Sequence, residues 1–195
     1  MIGSKIGHSL DPLLLGFCKV LFGGRTVAPN VLTLVGLFFS ILSFVFLAMS
    51  FPLWIAAACL TVSGLFDLLD GAVARNNNMV TRFGGFLDSV LDRYSDLLVM
   101  LGISITFLYR SDALFSTLTF FAAIGVAIIP YARARAEAAS IECRNGIMER
   151  PERVVLLIIG LFLGVLKPVV VILAVFTHIT VLQRILQARR ITTGE

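Results

Sequence analysis

Five aspartates, Asp67, Asp70, Asp88, Asp92 and Asp96, are crowded into a strongly apolar stretch of sequence. On a helix, Asp67 and Asp70 share one face, and Asp88, Asp92 and Asp96, each four apart, form a stripe on another. Carboxylates gathered in this way repel one another and drift toward protonation unless divalent cations hold them ionised. An oxygen-only ligand set, with no nearby His or Cys, suits a hard ion such as Mg²⁺ or Mn²⁺ rather than zinc. Two such ions would bind a pyrophosphate, polarise a phosphoryl centre and neutralise a departing nucleotide. The competing reading is a buried polar network or a proton path, as in a cation or proton-coupled transporter.

Neighbouring residues suit an anionic ligand. Gly71 follows Asp70 and leaves room beside the backbone, Arg75 offers a charge-assisted contact to phosphate, and Gly84 and Gly85 open the next helix, where free amides favour an anion. Thr81 and Arg82 could also touch phosphate, with helix capping and solvated charge as the plainer alternatives. Pro29 and Asn30 either line the same site or simply start a helix.

The elements that must position these groups are membrane helices. Of 195 residues, 58% are hydrophobic and 14% charged, and the mean hydropathy is +0.96, far above the makeup of a soluble domain. Crossings are expected over Val31 to Met49, Pro52 to Arg75, Gly84 to Leu108, Leu114 to Ala139, Arg153 to Leu166 and Pro168 to Leu186. The fold class is therefore all-α and polytopic: one domain spanning 1–195, with an interfacial amphipathic helix and turn in 1–28 and six transmembrane helices in 29–190. Between the first two acidic helices lies a polar break, Asn76 to Arg82. The first apolar run is broken by Lys19, Gly23, Gly24 and Arg25, a poor match to a cleavable signal.

In this layout only Arg110 and Lys167 lie in loops on one side, and the other 14 of the 16 Lys and Arg residues lie on or near the opposite side. The positive-inside tendency makes that basic side cytoplasmic and places the acidic cluster there, in the cell membrane. The net charge of +4 thus reports topology and the lipid bilayer as partner, not nucleic acid. Cys18, Cys59 and Cys143 match neither a disulfide framework nor a zinc spacing.

The string Asp67-x-x-Asp70-Gly71-x-x-Ala74-Arg75, eight residues, Gly84-x-x-x-Asp88-x-x-x-Asp92 resembles the signature of the CDP-alcohol phosphotransferase family, with every specified position occupied. The six-span layout and the preceding surface helix look like that family as well. The resemblance implies an enzyme of phospholipid synthesis that moves a phosphatidyl-like group from a CDP-linked lipid to an alcohol and releases CMP. It implies that Asp67, Asp70 and Asp88 are the main metal ligands, and that Asp92 both approaches the metals and acts as general base. Asp67, Gly71, Ala74, Arg75, Thr81 and Gly84 would form the CDP-donor site, and the family suggests a homodimer. Asp96 lies outside the signature, and its role divides between support of the site and pairing with Arg93.

The acceptor is read elsewhere. Arg133, Arg144, Arg150 and Arg153 are expected to gather at the cavity mouth, where guanidinium groups suit a second phosphate carried by a phosphorylated polyol. The bland reading is flanking charge that sets topology, the role assigned to Arg135, Arg189 and Arg190. The segments from Tyr131 to Glu137 and Glu149 to Arg153 look like the phosphatidylinositol-phosphate and archaetidylinositol-phosphate synthase branch, which uses inositol 1-phosphate. Glycerol 3-phosphate, the acceptor of a phosphatidylglycerophosphate synthase, is the rival. His178, alone on an apolar helix, is expected to be a packing residue.

Overall fold

The computed structural model describes residues 12–18, 20, 22–23, 27–141 and 146–193. Among these, all regular structure is helical. A short helix, α1 (12–18), precedes α2 (Pro29–Ala48), α3 (Leu53–Asn76), α4 (Arg82–Tyr109), α5 (Ala113–Ala138), α6 (Arg150–Leu163) and α7 (Leu166–Thr193). Each predicted helix exists, with ends displaced by a few residues. The largest shift is at α7, which runs past the expected Leu186 to Thr193.

Four helices, α2, α3, α5 and α7, are long and apolar enough to cross a bilayer. The sequence reading expects six crossings. The α4 helix has the length but carries Asp88, Asp92, Arg93 and Asp96 between its start and just past its midpoint. The α6 helix has 14 residues, short of the roughly 20 needed to span the hydrocarbon.

Helix ends share one device. Ser50, Asn78, Ser111 and Ser140 follow α2, α3, α4 and α5 in the left-handed conformation, as Gly164 does after α6. In each case the next residue donates its N–H to a carbonyl five positions back, for example Met79 to Ala74. Orphan carbonyls at the helix ends are thereby satisfied. Around Asn78 this stop separates the two acidic helices.

The bundle packs α2 between α3 and α4, and sets α5 against α4 and α7, with α6 joining α3 to α7. Small polar side chains stitch it together. Ser40 Oγ donates to the Ser95 carbonyl (3.2 Å), Ser43 Oγ to Ala56 (2.9 Å) and Thr106 Oγ1 to Leu47 (3.1 Å). In an apolar medium, where helices gain no hydrophobic attraction for one another, such bonds and close backbone approach hold the contact. Gly102 makes that approach possible, since a Cβ there would lie 2.9 Å from Leu47 Cβ. On α1, Leu14 and Cys18 pack against Leu32, Leu69, Ala72 and Val73, while Leu13 and Phe17 face outward, a two-faced pattern suited to an interfacial helix. His178 stacks on Phe121, ring centroids 4.1 Å apart, consistent with a packing role.

Candidate active site

The α3 and α4 helices bring their acidic faces together. Asp67, Asp70 and Asp88 each place a carboxylate oxygen within 4.8 Å of the others. Such proximity is unfavourable for three anions unless a cation lies among them. Thr33, one turn into α2, donates its hydroxyl to Asp70 Oδ2 at 2.6 Å. Asp88 Oδ1 is buried with no hydrogen-bond partner among the described residues. A buried carboxylate oxygen left bare beside two further carboxylates is the feature a hard divalent cation would satisfy, so the residues fit such an ion.

Asp92 and Asp96 turn instead toward arginines. Arg150, at the start of α6, donates Nη1 to Asp67 Oδ2 (2.6 Å) and places Nη2 2.9 Å from Asp92 Oδ1, with Nε 3.6 Å from Asp96. Arg93 lies 3.8 Å from Asp92. The pairing of Asp96 with Arg93 considered from sequence is not the one formed: Asp96 binds Arg153 at 2.8 Å. The reason is reach, since α6 brings its N-terminal arginines directly onto this face of α4.

Two cavities flank the carboxylates. One of about 210 Å³ is lined by Pro29, Asn30, Thr33, Asp70, Gly71, Ala74, Arg75, Met79, Val80, Thr81, Gly84, Gly85 and Asp88. All the residues assigned to the donor from sequence, apart from Asp67, border it, and Asp67 borders a narrow cleft alongside, with Asp70, Asp92 and Arg150. Thr81 also caps α4, its hydroxyl accepting from the Gly84 N–H at 2.9 Å. Thr81 thus caps α4 and also borders the smaller cavity.

The second cavity, about 680 Å³, is lined by Ser89, Asp92, Arg93, Pro130, Tyr131, Arg133, Glu137, Glu149, Arg150, Arg153 and Arg184, among others. Arg133, Arg150 and Arg153 therefore border one space, while Arg144 lies outside the described residues. They are not equivalent. Arg133 is exposed and paired with Glu137 at 2.8 Å, Arg150 bridges the carboxylates, and Arg153 is 2% exposed.

Sequence reading missed Thr33, Arg93, Glu149 and Arg184 as site residues. Arg184 is buried, donating to the Ile129 carbonyl and to Glu149 Oε1, both at 2.6 Å. Its signal was available, because an isolated arginine within an apolar helix needs a polar destination. Thr33 carried none beyond lying one turn after Pro29 and Asn30.

The family model described as CDP-alcohol phosphatidyltransferase matches residues 26–183. The archaetidylinositol phosphate synthase of Pyrococcus horikoshii is 38% identical over 174 residues, covering 86% of this chain and 89% of that protein. The phosphatidylinositol phosphate synthase of Mycolicibacterium smegmatis is 32% identical over 169 residues, 82% of this chain and 76% of that one. The crystal structure of Mycobacterium tuberculosis phosphatidylinositol phosphate synthase with CDP-DAG bound superposes with a TM-score of 0.78 at 29% identity, covering 91% of this chain and 92% of that one. The same enzyme in complex with manganese and citrate gives 0.79 at 30% identity, covering 91% and 88%.

Proposed function

The chain belongs to the CDP-alcohol phosphatidyltransferase family, and from that premise we propose that it transfers a phosphatidyl-like group from a CDP-linked lipid to inositol 1-phosphate, releasing CMP. It is a transferase of phosphate-linked groups and an integral membrane protein. The observation that carries the finer reading is the position of the acidic cluster between two cavities, one lined by the donor motif and one by arginines.

In this reading the cytidine diphosphate occupies the smaller cavity, with its phosphates toward Asp70 and Asp88, beside the start of α4, where the Gly84 and Gly85 amides already donate to Thr81. Asp67, Asp70 and Asp88 would hold divalent ions, Mg²⁺ or Mn²⁺, which supply charge neutralisation to the pyrophosphate and the departing nucleotide. Asp92 borders the larger cavity and the cleft beside Asp67. There it takes the proton of the acceptor hydroxyl, whose oxygen bonds to the phosphorus nearer the lipid as the bond to CMP breaks. Arg150 keeps the Asp92 carboxylate oriented through its 2.9 Å contact. The acceptor's own phosphate is received by Arg133 and Arg150 of the larger cavity, with Arg133 the more accessible, while the buried Arg153 stands behind them.

Both relatives named above make an inositol phosphate lipid by name, which favours that acceptor over glycerol 3-phosphate and over a transporter. The reading includes six crossings, with α4 shielding its charges inside the bundle and α6 completing its span with adjoining loop. It also includes a cytoplasmic site, supported by the clustering of basic residues, and a homodimer, supported by the family resemblance alone. Purified protein incubated with a CDP-lipid, Mn²⁺ and a panel of acceptors tests the proposal. CMP release with inositol 1-phosphate supports it, and release with glycerol 3-phosphate only would overturn the acceptor assignment.

A further inference from the structure

Asp96 is 9% exposed and lines none of the three cavities that surround the acidic cluster, yet it is tied to them by a chain of contacts. Its Oδ2 accepts from Arg153 Nη2 at 2.8 Å. The other arm of Arg153 donates Nη1 to the Met148 carbonyl at 3.2 Å. The Met148 N–H in turn donates to Thr180 Oγ1 of α7 at 3.1 Å. One guanidinium thus clamps α4 to the segment that leads into α6, and that segment carries Glu149 and Arg150 on the wall of the larger cavity.

We propose that Asp96 is a positioning residue for the acceptor: through Arg153 it fixes the backbone that holds Arg150 and Glu149 between the two cavities. A fold-stabilising ion pair alone would not require the second arm of Arg153 to grip the Met148 carbonyl, the last backbone acceptor before those two cavity residues. Arg153 borders the larger cavity but is 2% exposed, with Nη2 on Asp96, Nη1 on Met148 and Nε enclosed without a partner among the described residues, so its effect on a ligand passes through what it holds. Arg150 is the residue most sensitive to a shift there. Its single guanidinium must meet Asp67 of α3 and Asp92 of α4 together. A planar fork making two contacts at once tolerates little displacement of its backbone. The inference rests on the acceptor reading above only for the identity of the ligand.

The test is a double-mutant cycle of Asp96→Asn, Arg153→Met and the two combined, with CMP release read against inositol 1-phosphate and CDP-lipid in turn. The expected result is at least a tenfold rise in the acceptor KM in each single variant, with the CDP-lipid KM and the Mn²⁺ dissociation constant, measured by calorimetry, within threefold of wild type. The combined variant should match Asp96→Asn, because Arg153 acts through the clamp alone while Asp96 also lies 3.6 Å from Arg150 Nε. It also leaves no unpaired buried charge, so it serves if Asp96→Asn alone fails to fold. An unchanged acceptor KM, an equal rise in the donor KM, or a further multiplication in the combined variant overturns the proposal. If wild-type protein releases no CMP with inositol 1-phosphate, the acceptor assignment fails, and the same cycle is read with glycerol 3-phosphate, where the same split is expected.

Discussion

Replacing Gly71 by alanine should separate catalysis from stability. Gly71 lies inside α3, where glycine is less favourable than alanine by about 0.8–1.0 kcal/mol. An added Cβ would have one near neighbour, Arg75 Nη1 at 3.0 Å, followed by Arg75 Cζ and Nη2 at 3.8 Å. That neighbour is the tip of a flexible side chain, so it yields at little cost, and the fold gives no packing reason for glycine here. The variant should unfold at the wild-type temperature or up to about 3 °C above it, given the usual relation between free energy and melting temperature for a chain of this size. Its methyl group, however, stands on the wall of a cavity of only about 210 Å³, which the proposed function assigns to the donor diphosphate. The KM for CDP-lipid should rise at least tenfold, about 1.4 kcal/mol of lost binding, while the KM for the acceptor stays unchanged. Melting curves in detergent and CMP release under varied donor check both halves. Lower stability with an unchanged donor KM would show that Gly71 serves packing and that the small cavity is not the donor site.

Asp92→Asn should keep the fold and its contact to Arg150 but lower CMP release by about two to four orders of magnitude, as expected for loss of a general base; near-wild-type turnover would remove it from that role. Chelation by excess EDTA should stop the reaction, and restored activity on adding Mn²⁺ would tie the loss to the ion. Gly125→Leu should destabilise the protein by about 1–3 kcal/mol, because a Cβ at that position would overlap the Thr177 side chain where α5 meets α7; an unchanged melting temperature would contradict that packing. In the α4–α5 loop, the Lys167 ammonium hydrogen-bonds Asp112 at 2.8 Å and holds its carboxyl below the usual range. A depressed carboxyl contributes stability above its unfolded pKa and loses it as pH falls through the folded value. Asp112→Asn, which still caps α5, should therefore melt below wild type at neutral pH and converge with it in acid, below the ordinary aspartate range.

The donor half of the site is legible in sequence because it is local. Asp67, Asp70, Gly71, Ala74 and Arg75 share two turns of one helix, and Gly84 and Asp88 follow a stop that the polar run from Asn76 marks out. Helical periodicity sets the carboxylates on faces that can meet, and the family resemblance adds Gly71, Ala74, Arg75 and Gly84, which border the smaller cavity. The acceptor half is not local. Arg150 reaches Asp67 across 83 positions of sequence, and no periodicity encodes which carboxylate a guanidinium will find. Asp96 shows the same limit: four residues past Asp92 it looks like more of the stripe, and only the placement of α6 reveals Arg153 as its partner. Helix ends were harder for another reason. Ser50, Ser111 and Ser140 take the left-handed conformation that glycine usually signals, so these stops carried no glycine to mark them. Span counting met a physical conflict, since the charges of the acidic stripe on α4 also remove its apolar signature.

In the proposed function the acidic cluster passes a phosphatidyl group from the smaller cavity to a phosphorylated polyol in the larger one. The most direct measurement supplies radiolabelled inositol 1-phosphate with CDP-lipid and Mn²⁺ to the purified protein, then compares label in the lipid phase with CMP in the aqueous phase. Equal amounts of the two are expected, both abolished in Asp92→Asn. CMP released without label entering lipid, or label entering lipid equally well in Asp92→Asn, would contradict the proposed function.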